Sequence, residues 1–412
     1  YFERYAYAYR LIAAKPNPNL GIVVTIPCYN EPELEKSLAS LAYCHPGAST
    51  VEVIVVINHS NKASALVKAQ NLKTYKQAQH FASIYNTEHL QFHILLEELP
   101  EKHAGVGLAR KIAMDEAARR LDAVDRPEGI IACFDADSTC LDNYFLVLEH
   151  YFRQHPKSPG CSIYFEHPLK GDLQPDIYDA ITEYELFLRY YVHALRYAGF
   201  PYAYQTIGSS MAVRNGAYQK QGGMNRRKAG EDFYFLHKLI PLGNFGEITK
   251  TKVIPSPRKS DRVPFGTGKA VGQWLSTKNL DTYHPNIFED LKRFYTKLYL
   301  VSNYKNLVIN DLSGYPESIV EYSKTIELQL NVERIKENSG SLNSFISNYH
   351  HWFDGLKVLK YIHFARDNFY ANTSIVSAAK WALEAQGFAV NSYTAHELLE
   401  AYRKIDQHSS GS

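Results

Sequence analysis

The stretch IIACFDADSTCLDNY, residues 130–144, decides how the rest of the chain is read. Ile130 to Phe134 form an apolar run of the kind buried on both faces of a parallel sheet, and the run stops at two aspartates one residue apart, Asp135 and Asp137. Two carboxylates at the end of a buried strand have two readings. Asp137 or Ser138 could cap a helix starting near Leu141. Alternatively the pair holds one hard cation, because side chains at i and i+2 past a strand end can converge, and Mg²⁺ or Mn²⁺ takes oxygen ligands together with substrate phosphates.

Working outward, the first third of the chain alternates. GIVVTIP (21–27), VEVIVVI (51–57), FHILLEE (92–98) and GIIACF (129–134) read as buried strands. Between them PELEKSLASLAY (32–43), residues 62–85 and GLARKIAMDEAARRL (107–121) read as helices. That order predicts a parallel α/β sheet covered on both faces, with ligands bound beyond the carboxyl ends of the strands. Pro27, Asn58 and Asp135 stand at such ends and are expected to line one cleft. Further on, CSIYFE (161–166) and YAYQTIGSSMAV (202–213) read as strands, with a helix at 176–199 between them. From about 286 onward the periodicity is helical throughout, and its aromatics are expected in a core. With 412 residues the chain is too long for one core. Two domains are expected, an α/β domain over 1–280 and an α-helical C-terminal extension over 281–412.

Composition excludes several classes. The net charge of +2 argues against a nucleic-acid binder. No apolar run approaches the roughly 20 residues that span a bilayer. The five cysteines form no CxxC pair, which suits reduced structural thiols in a cytoplasm.

Three other segments could carry chemistry. In TIPCYNEPELEKSLASL a strand gives way to a loop with Tyr29, Asn30 and Glu31, which faces the ligand crevice. In KHAGVGLARKIAMDEA the glycines 105 and 107 fail as a dinucleotide fingerprint, because Arg110 stands where the third glycine belongs. Arg110 is either a diphosphate or carboxylate partner or a plain surface arginine. In GEDFYFLHKL, Glu231 and Asp232 follow Gly230 at a helix start. That is ordinary dipole chemistry, and in an α/β cleft it could also supply a general base. FGTGKA (265–270) fails as a phosphate loop, and His350 and His351 fall on different faces of a helix.

Taken in order, these segments over about 19–275 resemble the inverting family 2 glycosyltransferases of the GT-A fold. VVTIPCYNEPELEKSLASL is similar to the opening strand, loop and helix of that family. GVGLARKIAMDEA is similar to its Gly-x-x-x-Ala-Arg helix and FDADS to its Asp-x-Asp motif. IGSSMAVRNGAYQKQGGM is similar to its acceptor-side strand and helix, and GEDFYF to its Glu-Asp motif. The resemblance implies a GT-A fold, Rossmann-like with a mainly parallel sheet, followed by the helical region. It implies a metal-dependent hexosyltransferase-type enzyme that moves one sugar from a UDP- or GDP-sugar to an acceptor hydroxyl with inversion. Asp137, and through it Asp135, would hold Mn²⁺ or Mg²⁺. Pro27, Tyr29 and Glu31 would surround base and ribose, with Asn58 where the family usually has an Asp. Arg110 would lie near the nucleotide or diphosphate. Asp232 would be the base, with Glu231 beside it. The basic segment IPSPRKSDRVPFGTGKAVGQWL resembles a loop that closes over the donor diphosphate, with Arg258, Arg262 and Lys269 as candidates.

No Gln-x-x-Arg-Trp motif of processive synthases is present. A retaining GT-A enzyme, or a degenerate GT-A domain that binds without catalysis, are the alternatives. The acceptor would be a glycan, a lipid-linked molecule or a small molecule. The helical tail is expected to serve as an acceptor platform or a homo-oligomer interface, and the location to be cytoplasmic or peripheral at a membrane surface.

Overall fold

The computed structural model describes residues 1–7, 9–260, 266–299, 304–306, 314–389 and 394–408. The chain divides into two compact units. The first comprises Tyr1–Ile181, Thr206–Leu275 and the C-terminal residues from Arg403; the second comprises Thr182–Gln205 and Ser276–Tyr402.

The first unit is built on strands β1 (Leu20–Cys28), β2 (Thr50–Ser60), β3 (Leu90–Leu99), β4 (Ile130–Cys133), β5 (Thr139–Cys140), β6 (Gly160–Phe165), β7 (Met211–Arg214) and β8 (Gly246–Ile254). They lie in the order β3-β2-β1-β4-β7-β6-β8-β5. β3, β2, β1 and β4 are parallel, with Pro27 opposite Val56 and Thr25 opposite Cys133. β7 runs antiparallel to both β4 and β6, and β8 is parallel to β6. The continuous Val and Ile runs explain the parallel half: every residue of β2 but the last is buried. Pro27 and Asn58, expected just past strand ends, lie inside their strands instead: Pro27 pairs with Val56 one residue before β1 ends at Cys28, and Asn58 pairs with Glu97 two residues before β2 ends at Ser60.

Helices α1 (Leu34–Ala42), α2 (Ala65–Tyr85), α3 (Val106–Asp122), α4 (Tyr144–Gln154), α6 (Asn215–Lys220), α7 (Glu231–Leu239) and α8 (Thr267–Thr277) flank this sheet, and α5 (Pro175–Ala198) begins in this unit and continues into the other. α3 packs on β1 and β2, and α2 on β3. α3 buries charged side chains as well as apolar ones, among them Arg110, Lys111, Asp115, Glu116 and Arg120. They are tolerated because each is paired. Lys111 Nζ lies 2.9 Å from Asp115 Oδ2, Tyr218 Oη donates to Asp115 Oδ1 at 2.6 Å, and the Leu11 and Ile12 amides donate to Glu116 at 3.2 and 3.1 Å. The N-terminal residues thus lie over a helix that would otherwise face water.

Three expectations changed. Only residues 211–213 of the 202–213 segment are strand, within β7. Residues 207–210 turn instead, with the Ser210 amide on the Ile207 carbonyl at 3.0 Å. β8 was not anticipated: GEITKTKVI alternates buried and solvated positions with Thr and Lys in place of a strong apolar run. The Asp pair does not cap a helix, since α4 starts at Tyr144 with Asn143 at its N-cap. All five cysteines are free thiols.

The second unit continues with α9 (Pro285–Tyr299), α10 (Glu317–Thr325), α11 (Leu328–Glu337), α12 (Leu342–Trp352), α13 (Gly355–Asn368), α14 (Ile375–Ala385) and most of α15 (Ala395–His408). Phe294, Tyr295, Tyr349, Phe353 and Tyr361 fill its core. Buried Asp290 accepts from Ser318 Oγ at 2.6 Å and Tyr370 Oη at 2.7 Å. His350 is buried against Tyr299 Oη at 2.7 Å while His351 is exposed, as their adjacent positions on α12 require. No helix among the described residues is long and apolar enough to cross a membrane.

Candidate active site

The carboxyl edge of β1, β2 and β4 carries the expected loops. After Cys28 the chain turns through Asn30, whose φ of 49° is left-handed and suits Asn better than a branched residue. The Asn30 amide donates to Asn71 Oδ1 at 2.8 Å, and Asn71 Nδ2 donates to the Asn58 carbonyl at 2.8 Å. Thr74 Oγ1 donates to the Glu31 carbonyl at 2.8 Å. Two polar residues three apart on α2 therefore fix this loop, a role the sequence reading missed. The signal was there as buried Asn and Thr at helical spacing. Asn58 is itself buried, and its Nδ2 donates to the Cys28 carbonyl at 2.9 Å, tying β2 to β1 at the cleft floor. Tyr29 is exposed beside it.

Asp135 and Asp137 lie in a tight turn after β4. The Phe134 amide continues onto the Thr25 carbonyl at 3.0 Å, the Ser138 amide closes onto the Asp135 carbonyl at 3.1 Å, and Ser37 Oγ of α1 donates to the Ala136 carbonyl at 2.8 Å. The turn is pinned while both carboxylates stay partly open, 38% exposed for Asp135 and 26% for Asp137.

Arg110 is 2% exposed, so the surface reading is excluded. Its three nitrogens are all engaged. Nε donates to Glu231 Oε1 at 3.1 Å, Nη1 to the Gly208 carbonyl at 2.8 Å, and Nη2 to Asp135 Oδ1 at 2.9 Å. One guanidinium thus links the Asp-x-Asp turn to the first residue of α7. Burial would lower the Arg110 pKa, but Asp135 and Glu231 more than reverse this and hold the cation charged.

Asp232 follows Glu231 at the start of α7, after Gly230 in the left-handed region at φ 69°. Its Oδ1 accepts from the Phe233 amide at 2.8 Å. Burial, then the neighbouring Glu231, push its carboxyl up to about 7, with Arg110 pulling the other way. That is where a general base is most effective at neutral pH. Gly208, which the sequence reading did not single out, sits against both groups. A Cβ there would lie 2.7 Å from Arg110 Nη2 and 3.0 Å from Asp232 Oδ2.

On the other side, Arg258 from the segment after β8 clasps Glu31 with both terminal nitrogens and reaches Asp137 Oδ2 at 3.1 Å. Glu31 is fully buried. Lys269 is exposed at the start of α8, and Arg262 lies outside the described residues.

A divalent cation fits the donor set in one way only. Among the described residues no three His, Cys, Asp or Glu side chains converge on a closed cage. Two hard carboxylates on one turn, completed by phosphate oxygens and water, are what Mg²⁺ or Mn²⁺ accepts. The guanidinium now seated on Asp137 shows that this position already attracts positive charge.

Residues 23–200, from the middle of β1 through α5, match the family model described as glycosyl transferase family 2. This stretch is similar to a family 2 glycosyltransferase domain. The family 2 match contains the Tyr29–Glu31 loop, Arg110 and the Asp135–Asp137 turn, and ends before Gly208 and α7. No curated protein matches the chain. Among solved structures, S. aureus TarS 1-349 in complex with UDP-GlcNAc is similar over 95% of this chain and 91% of that one, at 13% identity and a TM-score of 0.42. The mannosyltransferase PcManGT from Pyrobaculum calidifontis, in complex with GDP-Man and Mn²⁺, is similar over 96% and 90%, at 12% identity and a TM-score of 0.37.

Proposed function

We propose that this chain is a metal-dependent, inverting family 2 glycosyltransferase. It moves a single sugar from a nucleoside diphosphate sugar to an acceptor hydroxyl, with Asp232 as the base. The observation that carries the reading is Arg110, because its bonds to Asp135 and Glu231 hold the Asp-x-Asp turn and the start of α7 around one point. Asp135 and Asp137 would hold the cation, which neutralises charge on the departing diphosphate. Pro27, Tyr29, Glu31 and Asn58 line the β1–β2 edge where base and ribose would lie, and the exposed Tyr29 ring offers a stacking face. Asp232 takes the hydroxyl proton as the oxygen attacks C1 from the face opposite the diphosphate, and that single displacement inverts the anomeric centre. Gly208 leaves Asp232 Oδ2 room to reach the acceptor. The helical unit would be a separate extension serving the acceptor or self-association.

The test is Asp232→Asn. Turnover of UDP- and GDP-sugar donors should fall at least about a hundredfold, the lower end for loss of a general base, while donor binding persists. The product of the wild-type protein should carry the inverted anomeric configuration by NMR. Near-normal turnover by the Asn variant, or a retained configuration, would overturn the reading.

A further inference from the structure

Arg258 makes more carboxylate contacts than a surface-loop arginine needs. Its Nη1 lies 3.1 Å from Glu31 Oε1 and 3.6 Å from Glu33 Oε2; its Nη2 contacts Glu31 Oε2 and lies 3.1 Å from Asp137 Oδ2. Glu31 is wholly buried, and a buried carboxylate needs a positive partner. Asp137 is the carboxylate that the proposed function gives to the metal. A second cation arriving there meets a guanidinium already in place, and the two repel across a partly dry site. A diphosphate changes this balance. It brings negative charge that a planar fork binds in the same bidentate way as a carboxylate.

We propose that Arg258 is a resident counter-ion of Glu31 and Asp137, and that its Nη2 passes from Asp137 to the donor diphosphate as the metal binds Asp137, while Nη1 stays on Glu31. This rests on the proposed donor and metal site. It adds that metal and nucleotide bind with a positive coupling set by one side chain, and that the coupling is reciprocal. Arg258 is here a positioning residue. No bond is made or broken; three carboxylates, one guanidinium, one divalent cation and one diphosphate exchange partners.

The experiment is Mn²⁺ binding to the full chain, followed by the paramagnetic resonance of free Mn²⁺, alone and with UDP or GDP. The wild-type protein should bind Mn²⁺ weakly alone and more tightly with the preferred nucleotide. Arg258→Ala should bind Mn²⁺ alone about tenfold tighter, the equivalent of roughly 1.4 kcal/mol, and lose a similar factor of coupling. Arg258→Lys keeps the charge and should stay weak. Where Arg258→Ala does not fold, Arg258→Gln still donates to Glu31 and should show the same tightening. Asp137→Asn should abolish Mn²⁺ binding in every background. Mn²⁺ binding by the Ala or Gln variant no tighter than wild type overturns the exchange. So does nucleotide binding that needs Arg258 but no metal, because the guanidinium would then replace the cation rather than yield to it. Absence of both Mn²⁺ and nucleotide binding in the wild-type protein would instead sink the donor-site reading, and the exchange with it.

Discussion

Gly208 and Arg110 meet so closely that no side chain fits between them: the Gly208 carbonyl accepts from Nη1 at 2.8 Å, and an added Cβ would stand 2.7 Å from Nη2. Arg110 cannot swing aside without leaving Asp135, which holds Nη2 at 2.9 Å. Gly208→Ala is therefore expected to cost about 1–3 kcal/mol of stability, the usual penalty for overpacking. It should also lower kcat, because the same methyl presses on Asp232. Urea denaturation and steady-state kinetics check both; an Ala variant with unchanged stability and turnover would remove Gly208 from the site.

Asp232 gives a pH dependence with a definite sign. Its carboxyl ordinarily titrates near 3.8 and is raised to about 7 in the folded protein, by burial first and by Glu231 second. Between those values the folded chain keeps a proton that the unfolded chain releases. The contribution to stability is thus complete below the lower value and is lost as pH rises through about 7. Stability of wild type minus that of Asp232→Asn, measured without ligands, should decline across this window. Turnover should climb over the same range, since the proposed base acts as carboxylate. A flat stability difference would mean that Asp232 titrates normally.

The parallel half of the sheet was legible in the sequence, because β1, β2 and β4 carry Val and Ile runs buried on both faces; their exact ends were not, since β1 runs past Pro27 to Cys28 and β2 past Asn58 to Ser60. β8 was hidden because Thr and Lys alternate through it. The Asp-x-Asp turn and Glu231-Asp232 could be picked out as short patterns. Their connection through Arg110 could not, since Glu231 lies 121 residues away in sequence. Arg258 meets Glu31 across 227 residues, and no local signal encodes such a pair.

The two aspartates proposed to hold the metal should differ. Asp135 neutralises a buried arginine, whereas Asp137 meets Arg258, which is more exposed. Asp135→Asn takes a charged acceptor from Arg110, so it should lose roughly 1.5–3 kcal/mol of stability as well as activity. Asp137→Asn should lose metal-dependent nucleotide binding with a melting temperature within a few degrees of wild type. Equal stability losses in the two variants would contradict the division of labour.

Glu52 and Arg120 supply a control inside the same domain. Arg120 Nη2 donates to Glu52 Oε1 at 2.6 Å, Nε contacts Oε2, and Nη1 donates to the Ala14 carbonyl at 2.8 Å. Both side chains are 3% exposed. Burial would raise the Glu52 carboxyl, yet Arg120 and His93 hold it below its ordinary value. The pair joins α3, β2 and the N-terminal segment without touching any proposed site residue. Arg120→Met leaves a buried carboxylate with its main partner gone and should cost about 3–5 kcal/mol. Adding Glu52→Leu removes that charge and should recover most of the loss. The donor KM of whatever protein remains folded should not move in either variant, because the pair braces the sheet rather than the cleft. Denaturation curves of the single and double variants decide it. A single variant as stable as wild type would show the pair to be idle, and a raised KM in the double variant would extend the site along α3.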